Sequence, residues 1–498
     1  MTAETGNLPV PSASRDIVDP AAMRVIWILI VAAFVAIFNE TTMSIAIPQL
    51  NITLGIPEEQ GQWLTSAFML MMAVVIPTTG FLLQRFTTRQ IFIAAMTAFS
   101  IGTAICLVAP GFWVLLTGRV VQAGGTGIML PLLMTTMMNV VPPHMRGRMM
   151  GLVGMVISLA PATGPTASGL ILDHLGWRWI FAIVLPIALI PLLLGIKWMT
   201  NIGETSNAPI DVLSILLSAV AFGGIVFGLS QLSAEQSGNG IPPLAIIGAG
   251  AALLALFVWR QITLQRKDDA LLDMRIFTSK NFVVAVTIMT VTAFAMFGSF
   301  SLLPLVLQTV SQLDATQTGL VLLPGAVLMG VLGPLMGRIY DARGPKTLLI
   351  PGTIMIAVAM FAYAFIDSGT PVWMLITIQI VLSVALAGSF TPLFTASLGS
   401  LKRSLYSHGS AALNTLQQVA GAAGTALLIG VYSAILHAGE ANGMPAPEAG
   451  AQGAHSAFLI GGSIAVLGAI LAFFVTKPAD DQEDHSEESS EGIAAPMH

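Results

Sequence analysis

The chain has 498 residues, of which 55% are hydrophobic and only 9% charged, with a mean hydropathy of +0.84. A soluble domain carries roughly 25% charged residues. The 25 acidic and 20 basic side chains present cannot coat a globule of 52.2 kDa, so the chain is an integral membrane protein. The net charge of -5 comes from an acidic tail between Asp480 and Glu491; the rest is slightly positive, which gives nucleic-acid binding no support. A single cysteine, Cys106, excludes an intrachain disulfide and a cysteine-built metal cage.

In chain order, residues 1–23 form a polar tail with no cleavage site behind an apolar region. A membrane-crossing helix needs about 20 mostly apolar residues. Such runs occur at 25–47, 62–83, 90–109, 112–139, 150–172, 179–199 and 210–231, then at 242–260, 282–307, 317–337, 347–366, 372–396, 410–436 and 456–476. They are long and continuous, which predicts fourteen helices and an all-α polytopic membrane protein, not a barrel. Segment 438–455, rich in Gly, Ala and Pro, reads as an external loop, and 478–498 as a solvated acidic tail.

Charge placement tests the count. With the N-terminus inside, eighteen of the twenty Lys and Arg fall on the cytoplasmic side; Arg178 is outside and Arg119 lies within a span. A miscounted helix would invert every later loop and destroy that asymmetry. Trp27, Trp63, Trp113, Trp177, Trp179, Trp198, Trp259 and Trp373 all sit near span ends, as an interfacial belt requires. Both termini are therefore cytoplasmic.

One pattern occurs twice: Gly80-Phe-Leu-Leu-Gln84-Arg85-Phe-Thr-Thr-Arg89 after the second span, and Gly337-Arg338-Ile-Tyr-Asp341-Ala-Arg343-Gly344-Pro-Lys346 after the tenth. The copies lie eight spans apart, so the economical architecture is two six-helix bundles with spans 7 and 8 inserted between them. The expected units are a tail at 1–23, a bundle at 24–200, the inserted pair at 201–265, a second bundle at 266–477 and the tail 478–498. Repeated bundles are the usual construction of secondary transporters. In the second copy Asp341 can accept from amides at a helix N-terminus, so Gly337, Asp341, Arg343 and Gly344 are candidates for a latch between moving helices.

Further motifs run along nearly the whole chain. Span 4 reads Arg119-Val-Val-Gln122-Ala-Gly124-Gly125-Thr-Gly127, then Pro131, and span 5 reads Ala162-Thr-Gly164-Pro165-Thr-Ala-Ser-Gly169. Gly176-Trp177-Arg178-Trp179-Ile-Phe181, Leu272-Asp273-Met-Arg275-Ile-Phe277 and Asn414-Thr-Leu-Gln417-Gln418 follow. In this order the motifs resemble the major facilitator superfamily, and within it the 14-span drug:proton antiporters of the EmrB/QacA/LmrB type. The resemblance implies two bundles, alternating access and an antiporter gate at Gly164-Pro165. Three departures stand out. Gln84 and Thr87 replace the usual Asp and Gly of the first loop, and Ala123 replaces a Gly. In span 1 the usual Leu-Asp-x-Thr becomes Phe38-Asn39-Glu40-Thr41, which moves the acid about 100° around the helix.

Glu40 is the only acidic residue well inside a predicted span and Arg119 the only basic one. Intramembrane charges are costly and are functional candidates by default. Glu40 is the candidate proton carrier, and Arg119 its conformation-dependent partner. Pro165 removes a backbone hydrogen bond and bends its helix, while Gly164 allows close approach of a neighbour. Asn39, Thr65, Phe68, Gln122, Asn414, Gln417 and Gln418 are polar or aromatic residues suited to a substrate cavity. His144, His174 and His408 fall in loops without metal-ligand spacing, so no metal site is expected.

No phosphate-cradling Gly-rich loop, His-Glu metal signature or Gly-x-Ser-x-Gly elbow is present, so neither a cofactor nor enzymatic activity is expected. The leading expectation is a proton-coupled exporter of apolar or cationic amphiphiles in a bacterial inner membrane. Its partners would be the substrate, protons and membrane lipids, with a periplasmic efflux partner left open. A dedicated exporter of one endogenous metabolite or lipid, and a non-transporting scaffold or sensor, are the alternatives.

Overall fold

Inside a bilayer every backbone N–H and C=O must find a partner within the protein, and a long apolar run does this by closing its own helix. A computed structural model describes residues 19–56, 58–202, 211–233, 242–267 and 269–477; the tails at 1–18 and 478–498 lie outside the described residues. The helices of the first half are α1 (Pro20–Leu54), α2 (Glu58–Arg85), α3 (Thr88–Val108), α4 (Phe112–Val140), α5 (Pro143–His174), α6 (Arg178–Trp198) and α7 (Val212–Ser233). Those of the second are α8 (Pro243–Leu264), α9 (Lys280–Thr309), α10 (Ala315–Arg343), α11 (Lys346–Tyr363), α12 (Val372–Gly399), α13 (Tyr406–Ala441) and α14 (Ala446–Ala472). Among the described residues, thirteen helices are long and apolar enough by themselves to cross a membrane. Helix α5 begins seven residues before its expected apolar run and carries His144, Arg146 and Arg148 in its first turns.

Helix starts follow local chemistry. Thr87 opens α3 with a capping box, its side chain accepting from the Gln90 amide while the Gln90 side chain accepts from Thr87 N–H. Asp314 and Gln317 do the same for α10. The largest departure from expectation is the outer segment 438–455. Helix α13 continues to Ala441 and α14 already starts at Ala446, so most of this Gly/Ala-rich stretch is helical and the connection is short. Small residues there serve packing: Gly439 sits on Ala449, and Gly453 on the Tyr432 backbone.

Helices α1–α6 pack among themselves, as do α9–α14. Between the groups α5 packs on α10 and α12, while α13 packs on α2 and α4. The offset of eight maps α5 onto α13 and α2 onto α10, so these two seams are repeat-related. Helix α7 lies against α2 and α13, with α8 outside it. The hairpin is pinned at its cytoplasmic end by a bidentate pair, Arg260 Nε and Nη2 donating to Asp211 Oδ2 and Oδ1 at 2.9 and 3.0 Å. Gln261 extends this network, donating to Ser214 Oγ at 2.8 Å and accepting from Leu272 N–H at 3.2 Å.

The α5–α10 seam is a contact of backbone on backbone. Gly147 and Gly151 face Gly337 and Gly333, and a Cβ on Gly337 would overlap the Gly147 carbonyl. Spacing of four in both helices puts the paired glycines on one face each. Overpacking of this kind costs about 1–3 kcal/mol. Gly337→Val is therefore expected to hold the cytoplasmic seam apart. In inside-out vesicles of a Cys106→Ala background, a cysteine replacing buried Thr391 beside Gly154 should react with an impermeant maleimide about tenfold faster in Gly337→Val. Unchanged labelling would contradict this.

Candidate functional site

The site starts from close approach of α3 and α4. Gly102 meets the Gln122 amide and the Gly118 carbonyl, and Gly125 meets the Ala95 carbonyl, so the two backbones nearly touch. That contact brings Gln122 beside Thr103. Arg119 Nη1 donates to Gln122 Oε1 at 2.7 Å, Gln122 Nε2 donates to Thr103 Oγ1 at 2.8 Å, and Thr103 Oγ1 donates to the Phe99 carbonyl at 2.7 Å. The Arg119 guanidinium lies 4.1 Å over the Phe68 ring of α2, a cation–π contact within the membrane. Arg119 is 1% exposed, and its Nε has no hydrogen-bond partner among the described residues.

Glu40 occupies α1 within electrostatic reach of Arg119, but the two form no ion pair. The residue as a whole is partly buried, and it has no ion-pair partner among the described residues. The turn that carries it is clamped from α5. Gly164 packs directly on Thr41 and the Phe38 carbonyl, and Ser168 Oγ donates to the Thr42 carbonyl at 2.9 Å. Thr41 and Thr42 also turn their hydroxyls back onto the Phe38 and Asn39 carbonyls, at 3.0 and 2.9 Å. A side chain at Gly164 would collide with Thr41, so the glycine of span 5 sets how close α5 can come to the acid-bearing turn. The Pro165 side chain lies outside the described residues.

The other expected cavity residues divide by depth and exposure. Asn39 is 1% exposed with neither amide atom hydrogen-bonded, and Thr65 Oγ1 also has no partner among the described residues. Phe68 and Gln122 are fully buried, spent on holding Arg119; they form the wall and do not line open space. On α13, Asn414 Nδ2 donates to the Ser410 carbonyl at 2.8 Å, Gln417 is buried and Gln418 half-buried. Depth follows from two fixed points, Gly80 against His408 and Ser410 Oγ donating to the Pro131 carbonyl at 3.1 Å. At 1.5 Å per helical residue, Phe68 and Arg119 stand about 18 Å above them, Gln418 about 12–15 Å and Asn414 only about 6–9 Å. Gln418 thus approaches the level of Arg119, while Asn414 lies nearer the cytoplasmic seam.

The loop residues gather where α10 ends. Asp341 Oδ1 and Oδ2 accept from the Gly147 and Arg148 amides, both at 2.8 Å, which caps the N-terminus of α5 from the other bundle. Gly344, at φ +78°, ends the helix and donates to the Tyr340 carbonyl at 2.7 Å. Arg343, in the last turn of α10, is exposed. In the first copy Gln84 Nε2 instead donates to the Ser404 carbonyl at 3.0 Å, also across the bundles. Arg146 completes this level: it donates to the Val141 and Met138 carbonyls and faces the Tyr406 ring at 5.7 Å. These contacts bring the bundles together on the cytoplasmic side.

His408 corrects a sequence expectation. It lies in the first turn of α13, not in a loop, and is 3% exposed; His144 and His174 are exposed ends of α5. The apolar run begins at 410, but Tyr406 and its neighbours extend the helix because they pack into the seam. The sequence reading does not single out Thr103 or the seam glycines Gly147, Gly151 and Gly333. Four-residue glycine spacing was the available signal for the last group.

A family description, Major Facilitator Superfamily, matches residues 29–425. The chain belongs to that superfamily. It is 39% identical over 463 residues to the lincomycin resistance protein LmrB of Bacillus subtilis, covering 91% of this chain and 96% of that protein. It is 30% identical over 436 residues to a multidrug resistance protein B homolog of Mycobacterium tuberculosis, covering 85% and 80%. Among solved structures, the proton:xylose symporter XylE superposes with a TM-score of 0.62 at 16% identity, covering 93% and 99%, which shows the shared fold. The chain is thus a membrane transporter of that superfamily and not an enzyme.

The buried Arg119 arrangement generates a prediction. Lysine keeps the charge but cannot both lie on Phe68 and reach Gln122. Losing the charged hydrogen bond and the cation–π contact removes about 1–3 kcal/mol. Arg119→Lys should therefore lower transport tenfold or more at matched protein level, and Thr103→Val less, since it breaks only the far end of the chain. Equal activity of Arg119→Lys and wild type in inside-out vesicles would refute this role.

Proposed function

We propose that this transporter is a proton-coupled exporter of apolar or cationic amphiphiles in a bacterial cytoplasmic membrane, with Glu40 as the proton carrier. The observation that carries this is Glu40, an acid inside the membrane, unpaired with nearby Arg119, and mounted on a turn clamped by Gly164 and Ser168. A salt-bridged acid would be held charged; an acid near, but not bonded to, a fixed cation can gain or lose a proton as the separation changes. The bacterial relatives named for lincomycin and multidrug resistance support the substrate class.

The cycle follows from the seams. With Asp341 capping α5 and the glycine crossing shut, the cytoplasmic side is closed and Glu40 takes its proton from outside. Protonation removes its attraction for Arg119, substrate leaves outward, and the α5–α1 contact at Gly164 shifts. Opening of the cytoplasmic seam breaks the Asp341 bonds, releases the proton inward and admits a new substrate. The positive charge of the substrate then replaces the proton as the partner of the Glu40 carboxylate. Membrane lipids at the basic cytoplasmic loops are the surroundings of this motion.

In bacteria lacking their own efflux pumps, the wild-type chain should lower accumulation of a fluorescent cationic amphiphile, and Glu40→Gln should restore it to the level without transporter. Wild-type accumulation that is unaffected across a broad panel of amphiphiles would favour a dedicated exporter. Asp341→Asn should lose about 1–2 kcal/mol of charge-assisted capping. It should raise cytoplasmic accessibility of the seam roughly tenfold while leaving substrate binding intact. Accessibility equal to wild type would remove Asp341 from the gate.

A further inference from the structure

The two repeat-related seams are closed by different chemistry. Where α10 meets α5, Gly337 lies on Gly147 and the carboxylate of Asp341 caps the helix. Where α2 meets α13, Gly80 lies on His408, 3.0 Å from Nδ1 and 3.2 Å from Cα to a Cβ position on the glycine. Gln84 stands at the position of Asp341 and donates to the Ser404 carbonyl, and among the described residues no carboxylate caps the start of α13. A titratable ring thus fills the place that backbone and carboxylate fill in the other seam.

The hydrogen-bond inventory of that ring sets its state. His408 is 3% exposed, Nδ1 has no partner, and its other side bonds the Leu271 backbone. A neutral imidazole satisfies this with Nε2–H donating to the Leu271 carbonyl, while Nδ1 faces Gly80 as a bare acceptor. An imidazolium needs a second acceptor, for Nδ1–H, and the closed seam supplies none. The charges facing the ring are Asp273 and Arg275, from the segment before α9. They are engaged with each other, Arg275 Nε to Asp273 Oδ2 at 2.8 Å. From α2 comes the Gly80 backbone, with Gln84 and Arg85 about one turn further on; from α5, Arg146 is directed to the Tyr406 ring; α4 presents the Pro131 carbonyl to Ser410.

We propose that His408 is a second proton-binding site of this transporter, neutral while the cytoplasmic seam is closed and protonated from the cytoplasm when α2 and α13 part. The inference rests on alternating access and is independent of Glu40 and of what is exported. Parting the seam exposes Nδ1 to water, which accepts its new hydrogen bond. Protonation therefore stabilises the inward-open form, and an acidic cytoplasm shifts the transporter toward it. Return to the closed form requires the proton to leave to the cytoplasm. The resting seam is thereby matched to a neutral interior.

The test reads the seam itself. Spin labels replace exposed Phe86 and Lys402, at the cytoplasmic ends of α2 and α13, in full-length Cys106→Ala protein in phosphatidylethanolamine–phosphatidylglycerol nanodiscs. With an ordinary imidazole value of about 6.5 in the open form, lowering the pH from about 8 to about 5.5 should raise the open-to-closed ratio about tenfold. His408→Gln and His408→Asn should keep the wild-type distance at high pH and lose the acid response, whereas Glu40→Gln should retain it. A response that survives in both amide variants, one that disappears in Glu40→Gln, or no response in wild type would each overturn the proposal. Because no substrate is needed, failure here is distinguishable from failure of the export proposal.

Discussion

The rest of the structure depends on the place where α5 and α10 cross with only glycine hydrogens between their backbones. Side chains at Gly147, Gly151, Gly333 or Gly337 would push the two bundles apart by overlap with facing carbonyls. Contact this close lets a carboxylate at the end of one helix reach the amides that open the other, and Asp341 does so with two bonds of 2.8 Å. Besides the glycines the contact buries the Tyr340 ring against Gly147, while Asp341 itself stays half-buried, within reach of water once the helices move. Such an interface is suited to opening and closing without rebuilding a packed core.

The second constraint is charge inside hydrocarbon. Arg119 meets it with a fixed hydrogen-bond chain through Gln122 and Thr103 and with the face of Phe68, all on three helices of the first bundle. Glu40 has no ion-pair partner among the described residues and is only partly buried. One charge is therefore held by fixed partners and the other is not. This asymmetry is what a proton carrier beside a permanent cation needs. Gly164 and Ser168 then couple the acid-bearing turn to α5, the same helix whose other end meets Asp341, so the two ends of one helix touch both the acid and the seam.

Much of the fold was legible because a bilayer imposes length and charge rules on every helix. Fourteen apolar runs and the one-sided Lys and Arg gave the helix number, and the repeated Gly-x-x-x-Asp/Gln-x-x-x loop gave the two bundles with an inserted pair. Apolarity did not delimit the ends. Helices α5 and α13 extend beyond the apolar run, and residues 446–455 are helical, because packing in the seam and small-residue contacts at the outer end continue a helix where hydropathy has already fallen. For the site, the rarity of Glu40 and Arg119 marked them without a structure. Burial of Gln122 in the wall, the position of Asn414 well below Arg119, and the seam location of His408 depend on which helix faces which, and a single sequence does not carry that information.

The central claim is that substrate and proton cross in opposite directions through the same site. The most direct measurement loads proteoliposomes with a quaternary ammonium amphiphile, which carries no exchangeable proton, at equal pH on both sides, and follows lumenal pH as the compound leaves. The account predicts lumenal acidification in step with substrate loss, absent in Glu40→Gln. Substrate loss without acidification, or acidification of equal size in Glu40→Gln, would contradict it.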